Sequence, residues 1–373
     1  MKVLIVATVQ SHICQFHRPL VEMLHEHGCE VHAAARNNLA EKNGLKLDFV
    51  EQVFDVPFDR SPFSPKNIWA YRKLKKVIAA GNYDVIHCNT PVGGVLSRLA
   101  ARKARKTGTK VYYTAHGFHF YKGAPVKNWL LWYPVEKLMS HFTDKLITIT
   151  NEDYEMAKQH FSAEVCHTHG VGANSHKYKV VTAEEVLQLR EKLGYRADDK
   201  IILCVGELLP NKNQITAIRM VPIVLEKVPN AKLILAGNGP ERDNLENEVS
   251  RLGLEDAVSL VGYRSDLENY VNIADVSVSC SYREGMPLNI IEAMLCCKSV
   301  VVSDNRGHRE LVKDGINGFV IPDASDSKEF AKQVTKLLTD NDLSKRMAKA
   351  GHSIGIQYAD ECLKKELEEI YYG

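Results

Sequence analysis

Apolar residues in this chain come in short dense runs, and the segments between them carry apolar positions at helical spacing. The first run, Lys2-Val-Leu-Ile-Val-Ala-Thr8, is apolar at consecutive positions rather than alternate ones. That is the pattern of a strand covered on both faces. Similar runs predict strands near residues 29–35, 49–54, 84–88, 109–115, 144–149 and 165–168. Helices are predicted over 15–27, 65–80, 92–107 and 151–160. The pattern breaks at Gly170-Val-Gly172, passes through a polar helix from Ala183 to Leu193, and restarts at Lys200-Ile-Ile-Leu-Cys-Val-Gly206. Further runs fall at 231–237, 257–262, 275–280 and 298–303. Buried strands alternating with helices predict parallel sheets, and two such series predict two doubly wound α/β domains. The boundaries read as a first domain over 1–172, a linker over 173–199, a second domain over 200–352 and a C-terminal segment over 353–373. Its helix, about 357–371, has apolar positions at Cys362, Leu363, Leu367 and Ile370, and is free to pack on either domain, including back on the first.

Composition narrows the class. The 373 residues are 45% apolar and 25% charged, as in a soluble globular protein. No apolar run approaches the roughly 20 residues that span a bilayer. The first run passes at once into polar residues, which reads as a buried strand rather than a signal peptide. Nine scattered cysteines without a CxxC spacing suit a reducing, cytoplasmic setting. Cys296-Cys297 is expected to be helical, with both thiols acting as small buried hydrophobes. Charge is uneven: residues 1–170 carry 22 Lys and Arg against 15 Asp and Glu, and the remainder 26 against 31. A basic first half suits an anionic membrane surface or a phosphorylated acceptor; the alternative is a chance distribution. The chain has no Walker loop, GxGxxG, HExxH or Cys/His cluster, which argues against NTPase, dehydrogenase and zinc chemistry. No metal and no nucleic-acid partner are expected.

The most informative stretch is Ser281-Tyr-Arg-Glu284-Gly-Met-Pro-Leu-Asn-Ile-Ile-Glu292. Gly285 and Pro287 prevent a single helix with two carboxylates on one face. The stretch reads as a loop carrying Glu284 and a helix beginning near Pro287, with unpaired backbone amides between the carboxylates. A ligand with phosphate in the middle and hydroxyls at both ends fits that layout, and a nucleotide sugar has it. Lys212 follows strand 200–205 in Gly206-Glu-Leu-Leu-Pro-Asn211-Lys-Asn213. It reads either as a phosphate ligand or as a solvated lysine, with Asn213 suited to cap the next helix. Gly237-Asn-Gly239-Pro240 is a tight strand-to-helix turn. Gly262-Tyr263 reads either as a place where a base approaches the backbone or as a plain turn. Asp314-Gly-Ile-Asn-Gly318 reads as a turn before a strand.

In the first half, Thr114-Ala-His116-Gly-Phe-His119-Phe120 ends a strand. His116 is placed to meet a sugar, although a packed histidine is the plainer reading. The following Tyr121-Lys122-Gly-Ala-Pro-Val-Lys127-Asn-Trp129-Leu-Leu-Trp132-Tyr133 fits a membrane interface and a buried helix about equally.

Taken in order, these motifs resemble the retaining glycosyltransferases of GT-B fold that carry Glu-x7-Glu, the GT4-type family. Thr114 to Pro125 is similar to its bacterial exopolysaccharide and capsule (EpsD/CapM-like) members. The resemblance spans the whole chain and implies two Rossmann-like domains facing across a cleft. It implies a metal-independent hexosyltransferase, without cofactor, using a nucleotide sugar, UDP-linked by preference. The implied acceptor is a polyprenyl-diphosphate-linked sugar or an oligosaccharide, and the implied location is the cytoplasm or the inner face of the cell membrane. Carried over residue by residue, His116, Glu284 and Lys212 are the catalytic group. Glu284 faces the sugar hydroxyls, and Lys212 meets the diphosphate with the amides of Met286, Leu288 and Asn289, in the donor-binding loop that Gly285 and Pro287 shape. Glu292 holds the ribose. Gly262 and Tyr263 flank the base, and Gly206 and Asn211 complete the donor loop. His12, His17 and His119 are acceptor-side candidates. Glu207 departs from the family's arginine, so it is expected to point away or to pair with Lys212, with Arg283, Arg306 or Arg309 as the substitute cation. A nucleotide-sugar epimerase and a non-catalytic sugar- or lipid-binding subunit are the alternatives.

Overall fold

The strands alternate their side chains between two separate cores, as expected of buried parallel sheets. In strand β1 (Lys2–Val9), Leu4 and Val6 face one core while Val3, Ile5 and Ala7 face the other. The computed structural model describes residues 1–41 and 44–373, which divide into two units: Met1–Gly172 with Asp360–Gly373, and Ala173–Ala359.

Among the described residues, the first unit is built on seven parallel strands. After β1 come β2 (Glu30–Arg36), β3 (Gln52–Asp55), β4 (Val85–Asn89), β5 (Lys110–Ala115), β6 (Lys145–Thr148) and β7 (Glu164–His167), in the order β3-β2-β1-β4-β5-β6-β7. The second unit has six: β8 (Lys200–Val205), β9 (Ala231–Ala236), β10 (Val258–Gly262), β11 (Val276–Ser279), β12 (Ser299–Ser303) and β13 (Phe319–Ile321), in the order β10-β9-β8-β11-β12-β13. Both sheets reverse their winding at one point, between β1 and β4 and between β8 and β11. In open sheets of this kind, ligands bind beyond the carboxyl ends of the strands at that reversal.

Several elements differ from the sequence reading. The helix expected over 15–27 is two, Gln10–Phe16 and Arg18–Glu26, separated at His17. Pro19 has no N–H for the bond that would continue the first helix into the second. The helix expected over 92–107 is likewise divided, into Pro91–Ala100 and Arg102–Arg105. Cys296 and Cys297 lie just beyond helix Leu288–Leu295 rather than within it, and Cys297 takes a left-handed backbone (φ 54°).

Residues 173–199, expected to be a linker, belong to the second unit. Their helix, Ala183–Lys192, starts in a capping box of Thr182 and Glu185. It is held by Arg190, which donates to the carbonyls of Ala197, Asp199 and Ile273 and to the Asp275 carboxylate. Residues 353–359 also stay with the second unit, where the Ala173 amide donates to the Tyr358 carbonyl. The terminal helix Asp360–Tyr372 lies in the first unit, with Leu363 and Leu367 buried beside Leu20 and Leu24. The Tyr371 hydroxyl is 2.6 Å from His87 Nδ1.

Leu367 is 4% exposed, whereas Leu187 is 50% exposed. Leu367→Ala is expected to destabilise the first unit by about 2–5 kcal/mol, the usual range for such a cavity. Leu187→Ala should change stability by no more than about 0.5 kcal/mol. Urea unfolding of both variants checks the contrast, and equal midpoints would contradict the placement of the terminal helix.

Candidate active site

The second unit gathers its strand-to-helix loops at the reversal point. After β8 the chain runs through Gly206 into a short 3-10 turn, Pro210–Lys212. After β11 it runs through Ser281 to Glu284. Asn211 joins the two loops, its carbonyl accepting from the Tyr282 amide and its side chain donating to the Arg283 carbonyl. This places Lys212 Nζ 2.7 Å from Glu284 Oε1. Both side chains are largely shielded, at 26% and 10% exposed. The sequence assigned these residues to different parts of a ligand; the structure pairs them directly. Glu207 has an exposed side chain. Of the substitute cations considered, Arg309 is engaged with Asp304 at 2.6 Å, Arg306 is buried and Arg283 is exposed. Asn213 stands at the N-terminus of the next helix without capping it: its Nδ2 donates to the carbonyls of Cys280 and Ala324, and its Oδ1 accepts from the Thr216 hydroxyl rather than from a backbone amide.

Pro287 is the residue just before helix Leu288–Leu295, not its first helical residue. No side chain caps that helix, and its first turn has no acid. Its free amides and the positive end of its dipole are therefore available to an anion. Gly285 and Glu284 lie under helix Arg306–Leu311, where a Cβ on Gly307 would stand 2.7 Å from the Gly285 carbonyl oxygen and 2.9 Å from Glu284 Cβ. Only glycine allows that approach. His308 of this helix is fully buried, and burial lowers its pKa to about 4. Its Nδ1 donates to the Ser303 carbonyl at 2.7 Å, leaving Nε2 buried without a partner.

Glu292 sits one turn along helix Leu288–Leu295 and is hydrogen-bonded to Tyr178. Burial raises its carboxyl from 4.5 to about 7, with Tyr178 and Lys177 acting in the opposite direction. The three loops after β8, β9 and β10 also interlock. Gly237 N donates to the Gly262 carbonyl at 2.8 Å, and a Cβ on Gly237 would collide with the Gly206 carbonyl oxygen. Gly262 is left-handed (φ 72°), and the Tyr263 amide donates to Asn238 Oδ1, leaving the tyrosine ring 52% exposed.

In the first unit, the corresponding edge holds histidines. His12 lies on helix Gln10–Phe16 after β1, His17 follows that helix, and His116 follows β5. Their ring centroids are 4.5 Å apart for His12–His116, 5.4 Å for His12–His17 and 5.6 Å for His17–His116. Burial lowers the pKa of each: well below the ordinary value for His12 and His17, and to about 4 for His116. All three are neutral at pH 7, so His116 can exchange a hydrogen bond with a sugar but does not supply a positive charge. His119 is not part of the group; it stacks on Trp132 at 4.8 Å. Thr90, at the end of β4 beside Asn89, holds a positive φ of 63°. That is a strained state for a β-branched residue.

Comparison with known proteins fixes the family. The profile "Glycosyl transferases group 1" matches residues 186–353, and "Glycosyltransferase Family 4" matches residues 18–173. A Bacillus subtilis (strain 168) protein named "Putative glycosyltransferase EpsD" is 43% identical over 372 residues, covering 99% of this chain and 96% of that one. This chain belongs to the glycosyltransferases of group 1 and family 4. An Escherichia coli relative of this glycosyltransferase, UDP-Gal:alpha-D-GlcNAc-diphosphoundecaprenol alpha-1,3-galactosyltransferase, is 27% identical over 316 residues, covering 83% of this chain and 81% of that one. Anabaena Alr3699/HepE, solved with UDP and glucose, superposes with a TM-score of 0.76 at 22% identity, covering 100% of this chain and 99% of that chain. The fold of this glycosyltransferase is therefore GT-B.

Sequence reasoning missed Tyr178, His308 and the grouping of His12 and His17 with His116. These partners are far apart in sequence and meet only where distant loops reach the same sheet edge. Asn305, three residues before His308, was a readable signal, since its side chain caps the helix through the His308 amide.

Glu292 binds its proton more tightly folded than unfolded. Between about pH 4.5 and about pH 7 its contribution to stability therefore falls as pH rises, by up to a few kcal/mol. The histidines of the first unit, with lowered pKa values, act in the opposite sense, so the test is a comparison with Glu292→Gln. Urea midpoints at about pH 5 and about pH 7.5 should show that the variant gains stability over wild type at the higher pH. An equal difference at both pH values would exclude the raised pKa.

Proposed function

We propose that this glycosyltransferase moves a hexose from a nucleotide-sugar donor, UDP-linked, to a lipid-linked or saccharide acceptor, with retention at the anomeric carbon. The carrying observation is the Lys212–Glu284 pair at the β8/β11 reversal, beside an uncapped helix start. The diphosphate meets Lys212 and the amides of Leu288 and Asn289. Glu284 receives the sugar hydroxyls, and Glu292 with Tyr178 the ribose. The base lies by Gly262 and Tyr263. An ammonium group has three donors, so Lys212 can serve a phosphate oxygen while keeping Glu284 oriented. The UDP and glucose in HepE, and the UDP-Gal named for the Escherichia coli relative, support this donor class. That relative's diphosphoundecaprenol acceptor supports a lipid-linked one, and the EpsD likeness supports exopolysaccharide or capsule synthesis.

The transfer reads as front-face substitution. The departing diphosphate takes the acceptor's proton while Lys212 and the helix start stabilise its charge, with no metal needed for this step. Lys212→Ala should lower turnover about a hundredfold or more, or about 3 kcal/mol in the barrier, with the fold intact. Glu284→Gln should lower turnover while changing UDP affinity less than Lys212→Ala does. Radiolabelled transfer from UDP-sugars to a polyprenyl-diphosphate sugar, with calorimetry of UDP binding, measures both. Near-wild-type turnover of Lys212→Ala would remove the assignment. A changed sugar with donor alone would favour epimerisation instead.

The acceptor reading includes a peripheral site on an anionic membrane. No helix among the described residues is long and apolar enough to cross a membrane. Helix Val126–Ser140 carries exposed Val126, Leu130, Leu131 and Leu138, while Trp129, Trp132 and Tyr133 pack against the core. The aliphatic residues, not the aromatic ones singled out in the sequence, therefore form the contact. Co-sedimentation with anionic liposomes should weaken as salt rises and fall several-fold in Leu130→Asp/Leu131→Asp. Equal pelleting of wild type and variant would remove this contact.

A further inference from the structure

The histidines at the β1/β4 edge are incompletely satisfied as a hydrogen-bond network. His116 Nε2 lies 3.2 Å from His12 Nε2 and 3.2 Å from Asn89 Oδ1, so either one proton on His116 serves two acceptors, or His12 donates to His116 and Asn89 Oδ1 faces a bare ring nitrogen. His17 is 5% exposed, and its Nε2 has no hydrogen-bond partner. A buried ring nitrogen without a partner is costly unless something else uses its lone pair.

One ring nitrogen from each of His12, His17 and His116 lies within 4.8 Å of the other two. Tetrahedral zinc holds imidazole nitrogens at about 2.0–2.1 Å, which sets two ligands roughly 3.3 Å apart across the ion. The 3.2 Å between His12 and His116 already matches that span. The third ring needs a shift of only an ångström or so, on the order of a rotamer adjustment. A cavity of about 20 Å³, lined in part by His17, His87, Thr114 and His116, adjoins the rings. That volume holds one water. Asn89 Oδ1, fully buried, faces the same nitrogen and can accept from such a water.

We propose that His12, His17 and His116 form a three-imidazole site for a divalent transition-metal ion of the zinc type, with a fourth position open to water. The ligand set selects the metal class. Neutral imidazoles suit zinc, copper and nickel, whereas calcium and magnesium require oxygen ligands that this group lacks. The ligands come from two loops and a helix of one unit, so the site needs no partner chain. It does not rest on the sugar-transfer reading, but it takes up His116 Nε2, so that nitrogen holds either the ion or a sugar hydroxyl and not both.

The test is titration of the tag-free full chain with zinc chloride by calorimetry, and with cobalt chloride by visible absorption. One ion per chain is expected, with the visible bands of four-coordinate cobalt on nitrogen ligands. His12→Gln and His17→Gln should each weaken binding roughly tenfold or more, whereas His25→Gln should leave it unchanged. His17 is buried; if His17→Gln does not fold, His12→Gln, with its fold checked by circular dichroism, carries the test. Absence of binding, binding unaffected by His12→Gln, or a near-ultraviolet thiolate band placing cobalt on cysteine would each overturn the site.

Discussion

Everything chemical in this protein depends on its strands being parallel. A parallel strand must be followed by a crossover, and every crossover begins at the same edge of the sheet. Residues far apart in sequence are thus delivered to one line of loops. Lys212 and Glu284 meet because β8 and β11 are neighbours. His12 and His116 meet because β1 and β5 flank β4. The hydrogen bonds of the sheets set these distances, and side-chain packing on both faces keeps the sheets in register.

The two loop edges differ in electrostatic character. The second unit holds an ion pair beside a helix dipole, and a carboxyl whose pKa burial raises to about 7. The first holds several uncharged imidazoles in a shielded place. An anionic ligand is therefore attracted to one edge, while the other offers lone pairs and hydrogen bonds. Lys212 is not a free cation awaiting phosphate. Glu284 holds it in position, so its orientation exists before any ligand arrives, and preorganised charge is the form of electrostatic stabilisation that costs least at the moment of reaction.

Much of this architecture was legible because a strand covered on both faces writes an unbroken apolar run. Lys200 to Val205 and Ala231 to Ala236 are strands on that evidence alone. The helix over 151–160 was legible for a related reason, since Thr150 caps it and acids occupy its first turn. The break at His17 was harder to read, because apolar spacing continues across it and only Pro19 marks the interruption. Residues 173–199 looked like a linker because their helix buries little beyond Arg190, a side chain that sequence patterns count as surface. The pairing of Glu284 with Lys212, and of Glu292 with Tyr178, was out of reach for another reason. Spacing along a chain says which element a residue occupies, but not which distant loop arrives beside it.

The terminal helix has a consequence for how the chain is organised. Its 14-residue segment, Asp360–Gly373, returns to the first unit after the second is complete. A Cβ on Gly172 would stand 3.0 Å from Asp360 Cα, so the two ends left by removing the second unit are already adjacent. The second unit is, in topological terms, an insertion into a finished domain. Joining Gly172 directly to Asp360 would give a continuous single-domain polypeptide of seven strands with its sealing helix attached. Cutting the chain after Gly172 instead would leave Leu20 and Leu24 without their cover. The natural dividing line of this enzyme is therefore an excision with two cuts.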